Sequence, residues 1–139
     1  MQDDDAIREL VGNHFEALRW SPGTEADWDR FAEDFLPEAQ LFPAARPVAT
    51  KSVEGFIARM KSVALGGLQS FEEHTRGMRI QRFGNIAVVL ASSELLENGA
   101  ETNHDVSAYL LVKTDGAWRI AAHAWDKVTD DTPLPDDLR

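Results

Sequence analysis

The 139-residue chain has no cysteine, so disulfides, thiol nucleophiles and thiolate metal sites are excluded at the outset. Basic residues are scarce: 14 Lys and Arg against 24 Asp and Glu leave a net charge of −10. A nucleic-acid surface is not expected, because phosphate binding rests on clustered Lys and Arg. The same charge would repel an anionic membrane surface. No apolar run approaches the about 20 residues that a membrane-spanning helix needs. The opening Met1-Gln2-Asp3-Asp4-Asp5 is acidic and lacks an apolar core, so no secretion signal is expected and a cytoplasmic setting is the default. Also missing are a glycine-rich phosphate loop, a Gly-x-Ser-x-Gly elbow and any Cys–His pairing. The length suits one domain with a proper core, and neither a repeat nor a linker divides it.

What is present begins with helical patterning. Ile7, Leu10, Val11, His14, Phe15 and Leu18 recur at helical spacing over residues 4–20. Asp3, Asp4 and Asp5 suit the positive end of that helix, and Pro22-Gly23 stops it. Thr24 reads as the cap of a short second helix carrying Trp28, Phe31 and Phe35. A short strand is expected near residues 38–43. Ser52 reads as the cap of a third helix carrying Phe56, Ile57, Met60 and Val63, with Gly66-Gly67 as its stop.

From Phe71 the pattern changes to strands, near 71–83, 86–97, 100–114 and 117–128. Gly84-Asn85, Asn98-Gly99 and Asp115-Gly116 separate them, and such pairs are the strongest local hairpin signal because they tolerate positive φ. Tight two-residue turns fix the register, so facing residues can be counted. The count sets Arg76 opposite Ser93 and Ser93 opposite His104. It sets Met78, Ala91, Val106 and Trp125 in a second row, and Ile80, Val89, Ala108 and His123 in a third. These rows are expected to face inward, with Val88, Leu90, Tyr109, Leu111 and Ile120 at the apolar centre of the outer face. A bulge would flip everything beyond it.

Twelve strand residues span about 40 Å at about 3.3 Å each, whereas the first helix covers only about 25 Å at about 1.5 Å per residue. The sheet is therefore expected to curl around the helices, leaving a hollow lined by small residues such as Ala91, Ser93, Ala108 and Ala121. Residues 129–139, rich in Asp and Pro, read as a flexible acidic tail beyond a single domain of residues 1–128.

Three helices, a short strand and a meander ending in Gly116-Ala117-Trp118-Arg119-Ile120 and His123-Ala124-Trp125-Asp126 resemble the nuclear transport factor 2-like superfamily, in its SnoaL-like branch. The helix-one stripe and the Gly84-Asn85-Ile86-Ala87-Val88-Val89 segment carry the resemblance further. It implies a cone-shaped α+β fold: a curved antiparallel four-stranded meander plus a short strand, packed on three N-terminal helices. It also implies a homodimer and a pocket at the wide end. Function does not follow from fold, since the superfamily spans cyclases, isomerases, dehydratases and binding domains. The ketosteroid isomerase pattern is absent: its base falls at Phe42-Pro43, its oxyanion tyrosine at Phe15 and its neutral aspartate near Ala108. The cyclases' catalytic aspartate lies on the late strands, where Asp105 is nearby but counted as outward.

The candidate catalytic groups are His123, as a proton carrier, and Arg76, as holder of developing negative charge. A buried guanidinium needs a partner, either a ligand anion or an acid such as Asp34. Trp28, Trp125, His74, His104, Ser93 and His14 are candidate ligand-binding residues. No metal is expected: His74, His104 and His123 share the counted face but lack the spacing of a zinc motif. No cofactor is implied. The first reading is a small-molecule pocket protein, a cofactor-independent lyase, isomerase or cyclase acting on an apolar carbonyl compound. The alternative is a non-catalytic dimeric ligand-binding or accessory domain. The apolar outer face serves either a homodimer or, in a third reading, a protein-interaction module.

Overall fold

The computed structural model describes residues 2–139. Its elements are α1 (Gln2–Asn13), a 3-10 turn (His14–Glu16), α2 (Trp28–Glu33), β1 (Phe35–Phe42), β2 (Lys51–Ser52), α3 (Val53–Leu65), β3 (Phe71–Phe83), β4 (Ile86–Glu97), β5 (Glu101–Thr114), β6 (Ala117–Lys127) and a terminal 3-10 turn (Asp136–Leu138). The six strands form one curved, unclosed sheet in the order β2-β1-β6-β5-β4-β3, antiparallel except where β1 runs parallel to β6. Its concave face holds the core, in which Ile7, Val11, Phe31, Leu41, Leu111 and Ile120 are fully buried.

Local chemistry accounts for the helix starts. Ser52 Oγ accepts from Gly55 N at 3.0 Å, capping α3, and Asp27 Oδ1 accepts from Arg30 N at 3.2 Å, capping α2. At the narrow end Asp3 accepts from Lys113 Nζ at 2.9 Å and from Trp118 Nε1 at 3.2 Å, while Asp4 pairs with Arg82 at 3.0 Å. The acidic first turn thus pins α1 to the sheet. Among the described residues, no helix is long and apolar enough to cross a membrane.

Three one-residue offsets separate the observed register from the counted one. The turn after β4 holds three residues, because Glu97 pairs with Glu101 and Ala100 N donates to Glu97 O at 3.2 Å. Asn98, at φ 53°, is tied down from outside the hairpin: its Oδ1 accepts from Gln69 N and Ser70 N at 2.8 and 3.2 Å. Every β5 residue is therefore displaced by one relative to β4, so Ser93 faces Asp105 and Val89 faces Tyr109. Ala121 is a bulge in β6, since Leu111 pairs with Ile120 but Leu110 with Ala122. The third offset is the Arg76-Gly77 bulge in β3, where Thr75 faces Ser93 and Met78 faces Ala91.

The first two offsets cancel on β6. His123 and Trp125 consequently share the inward face, opposite Tyr109 and Ser107 rather than Ala108 and Val106. They do not cancel on β5, where Asp105, Ser107, Tyr109 and Leu111 are buried and Ala108 is exposed. The outer apolar centre is correspondingly Val88, Leu90, Ala108, Leu110, Ala122 and Ala124, which line a shallow concavity of about 490 Å³; Tyr109, Leu111 and Ile120 belong to the core.

Residues 129–139, expected to be loose, end in an anchored turn. Leu138 is fully buried, Ser92 Oγ donates to its carbonyl, and Arg79 forks onto Asp137 with two bonds of 2.8 Å. The β3 bulge makes the recess, for a Cβ on Gly77 would lie 2.6 Å from the Leu138 carbonyl carbon.

Candidate functional site

α1 gives way to the 3-10 turn at Gly12-Asn13, and this places His14 beneath the sheet with no exposed surface. Its ring stacks on Phe31 at 4.6 Å and meets Phe35 edge-on at 5.0 Å. His14 Nδ1 lies 2.6 Å from Asp34 Oδ2, whose backbone carbonyl is fixed by Ile120 N at 2.8 Å. A carboxylate only accepts, so Nδ1 carries a proton, and in the tautomer this fixes Nε2 is the nitrogen with the lone pair. That Nε2 is buried and has no partner. Asp34 is about a quarter exposed, at 24%, and lines an outer concavity with Arg30, Asn13 and Lys113. The pair therefore spans from solvent to the interior.

Across from it, His123 stacks on Tyr109 at 4.4 Å and lies 6.4 Å from His14, ring centre to ring centre. Its Nε2 is 2.9 Å from Ser107 Oγ, and its Nδ1 is without a partner. Burial, with the neighbouring His14 adding to it, holds the His123 ring well below its ordinary pKa. The Tyr109 hydroxyl is pushed up by burial and then by the Glu73 charge, so it stays protonated. It lies near Ser107, but no bond of proper geometry forms and Oη is unpaired.

The same face continues into two acids. Glu73 is pushed up to about 8, by burial first and then by Asp105. Asp105 is also raised, chiefly by burial, although Lys127 pulls it down. Ser93 Oγ is near enough to Glu73 to favour its ionised form, yet makes no bond of proper geometry and is unpaired, as is Asp105 Oδ1.

Of the residues singled out from sequence, His14, His123, Ser93 and Trp125 lie on this inward face, Trp125 at 4.9 Å from His123. Arg76 does not. The bulge turns it to the outer face, where it is half exposed and pairs with Glu94 at 3.1 Å. His74 is also outward, 3.2 Å from Glu72, and His104 is exposed opposite Glu94. Trp28 packs on Trp20 and Phe31 beside a separate concavity of about 640 Å³. Asp34, expected to pair with Arg76, pairs with His14.

Sequence reasoning missed Glu73 and Ser107, and its count sets Asp105 and Tyr109 on the outer face, whereas both are inward. Asp105 and Tyr109 were legible only by adding Ala100 to the turn, which then puts both on the Ser93 face. Among the described residues, no group of three or more His, Asp or Glu is placed to hold a metal ion.

A curved sheet wrapped over N-terminal helices, with polar side chains gathered on its concave face, defines an α+β protein of the nuclear transport factor 2-like, or cystatin-like, type. Residues 8–125 match the SnoaL-like domain, and the chain belongs to that family. Among solved structures it is similar to a nuclear transport factor 2-like protein of unknown function from Pseudomonas putida, with TM-score 0.73, 12% identity, and 99% and 96% of the two chains covered. Hexachlorocyclohexane dehydrochlorinase LinA-type3 from Novosphingobium barchaimii gives TM-score 0.73 at 16% identity, covering 97% and 92%. A provisionally assigned scytalone dehydratase from Novosphingobium aromaticivorans gives 0.72 at 13%, covering 91% and 85%. No curated protein is significantly similar in sequence. At these identities the likeness concerns the fold.

Proposed function

We propose that this protein is a cofactor-independent lyase, isomerase or cyclase that moves a proton at carbon next to a carbonyl in an apolar compound, with the His14–Asp34 pair as its base. The observation that carries this reading is the 2.6 Å His14–Asp34 contact with a buried, unpartnered Nε2 at its far end. An acceptor carboxylate behind an imidazole fixes its tautomer and steadies the imidazolium formed on proton uptake. The C–H bond breaks, its proton goes to Nε2, and the electron pair shifts onto the carbonyl oxygen. Tyr109 Oη donates to that oxygen, and His123, neutral with Nδ1 free, is the second proton carrier. Arg76 has no part in this scheme, because it lies on the other side of the sheet. Substrate enters past half-buried Trp125 and Met60, side chains that border the buried cluster. Two similar structures, a dehydrochlorinase and a provisionally assigned dehydratase, accord with elimination chemistry on this fold.

The test needs no known substrate. A panel of cyclic ketones is incubated in D2O and loss of α-protons is followed by NMR. His14→Gln is expected to slow exchange by about 10²–10⁴-fold, the usual share of a positioned base. Equal exchange by wild type and variant rejects the reading.

The second reading is a ligand-binding domain without turnover, favoured by the complete burial of His14 under Phe31. In either case the outer face is the homodimer surface: Val88 and Leu110 are 48% and 44% exposed there. Leu110→Asp is expected to convert a dimer to a monomer in sedimentation; a wild type that sediments as a monomer at micromolar concentration counts against the dimer.

A further inference from the structure

The inner face is acidic where sequence counting expected it to be basic. Glu73 on β3 and Asp105 on β5 are both more than nine-tenths buried, and β4 between them contributes the equally buried Ser93. Ser93 Oγ and Asp105 Oδ1 are without hydrogen-bond partners, and so is the Tyr109 hydroxyl, which feels the Glu73 charge.

Among the described residues, no Lys or Arg answers them from within. Arg76 is outside with Glu94, and Arg82 and Lys113 are committed to Asp3 and Asp4 at the narrow end. Lys127, beside Asp105, is exposed. Buried polar atoms without a hydrogen-bond partner are costly. The ligand group that suits such acceptors is a cation with several N–H donors.

We propose that Glu73, Asp105 and Ser93 form a recognition site for a protonated amine on the substrate. The proposal rests on the function given above and narrows it to carbonyl compounds that carry an ammonium group. An ammonium supplies three donors, enough for the two carboxylates and Ser93 Oγ. The net charge of −10 raises the local concentration of such cations.

Asp105 and Ser93 act on Glu73; Lys127, Glu97, Asp126 and His104 act on Asp105. A cation entering here draws Glu73 into its ionised form, so binding at pH 7 releases a proton.

The probes are 3-phenylpropylamine, 3-phenylpropan-1-ol and 3-phenylpropanoate, which share a frame and differ in charge. Calorimetry on the wild type is expected to show the amine binding about tenfold or more tightly than the alcohol, with no binding of the carboxylate. Heats measured in buffers of different ionisation enthalpy are expected to reveal proton release for the amine alone. The double variant Glu73→Gln, Asp105→Asn is expected to bind amine and alcohol equally. Alcohol binding as tightly as the amine overturns the proposal, and so does amine binding without proton release. Because proton release is read on the wild type, the proposal stays testable if the variant does not fold. His14→Gln separates the two ideas: amine preference should survive it. A preference that survives, with ketone exchange also unchanged, rejects the base and keeps the amine site.

Discussion

Gly77→Ala is a substitution of one methyl group whose effect should be read 61 residues away, at Leu138. The added Cβ would lie 2.6 Å from the Leu138 carbonyl carbon and 2.7 Å from both its Cα and its oxygen. All three are backbone atoms, so no rotamer change relieves the clash and the terminal turn must leave. Leaving exposes a side chain that is fully buried, worth about 1.5–3 kcal/mol. The bond from Ser92 Oγ to the Leu138 carbonyl adds about 1 kcal/mol. The Arg79–Asp137 fork is solvent-exposed and adds nothing countable. Freed chain entropy offsets part of the loss, so the net expectation is about 1–3 kcal/mol. Urea denaturation reads it as a lower midpoint with little change in slope. A chain ending at Thr132 provides the control. If the clash acts only by evicting the turn, Gly77→Ala costs nothing further in the truncated chain, and the two changes are strongly non-additive. Full additivity, or a loss under about 0.5 kcal/mol in the intact chain, refutes the reasoning.

Stability should also depend on pH through two buried groups of opposite sense. Folded Glu73 keeps its proton up to about 8, while the unfolded side chain loses it near 4.5. Its contribution is therefore complete below about 4.5 and disappears as pH rises through about 8. Glu73→Gln should flatten the fall in Tm between pH 5 and 9; an unaltered profile contradicts the assignment. His123 works the other way, because burial keeps the folded ring neutral: its contribution is present above 6.5 and is lost as pH falls below that value. Asn98→Ala removes the acceptor of Gln69 N and Ser70 N and strains a residue at φ 53°. Asn98→Gly keeps the backbone freedom and loses only the bonds. A Tm lowered more by Ala than by Gly is expected, and equal values would mean that the backbone conformation carries no cost.

The elements and turns of this fold are local facts, and the sequence carries them in local form: Ser52 caps α3 through its own hydroxyl, and the Gly84-Asn85 and Asp115-Gly116 turns pair as counted. The registers beyond them depend on distant contacts. Asn98 is held by the loop at residues 67–70, and Gly77 is held by the chain end. Ala121 carries no local mark of its bulge at all. His123 and Trp125 lie on the counted face because two offsets cancel between β4 and β6, whereas Arg76 sits beyond a single uncancelled one.

The chemical consequence of that asymmetry is larger than its geometric size. Adding one residue to the turn at Asn98 exchanges Ala108 for Tyr109 and His104 for Asp105 on the concave face. One bulge at Gly77 removes Arg76 from it and leaves Glu73 inside. Together they turn a small-residue hollow headed by a guanidinium into a polar cluster of two acids, two serines, a phenol and two imidazoles. A register error of one residue, harmless to the apolar pattern in long strands of alternating character, thus inverts the charge of the site and with it the class of ligand the site selects.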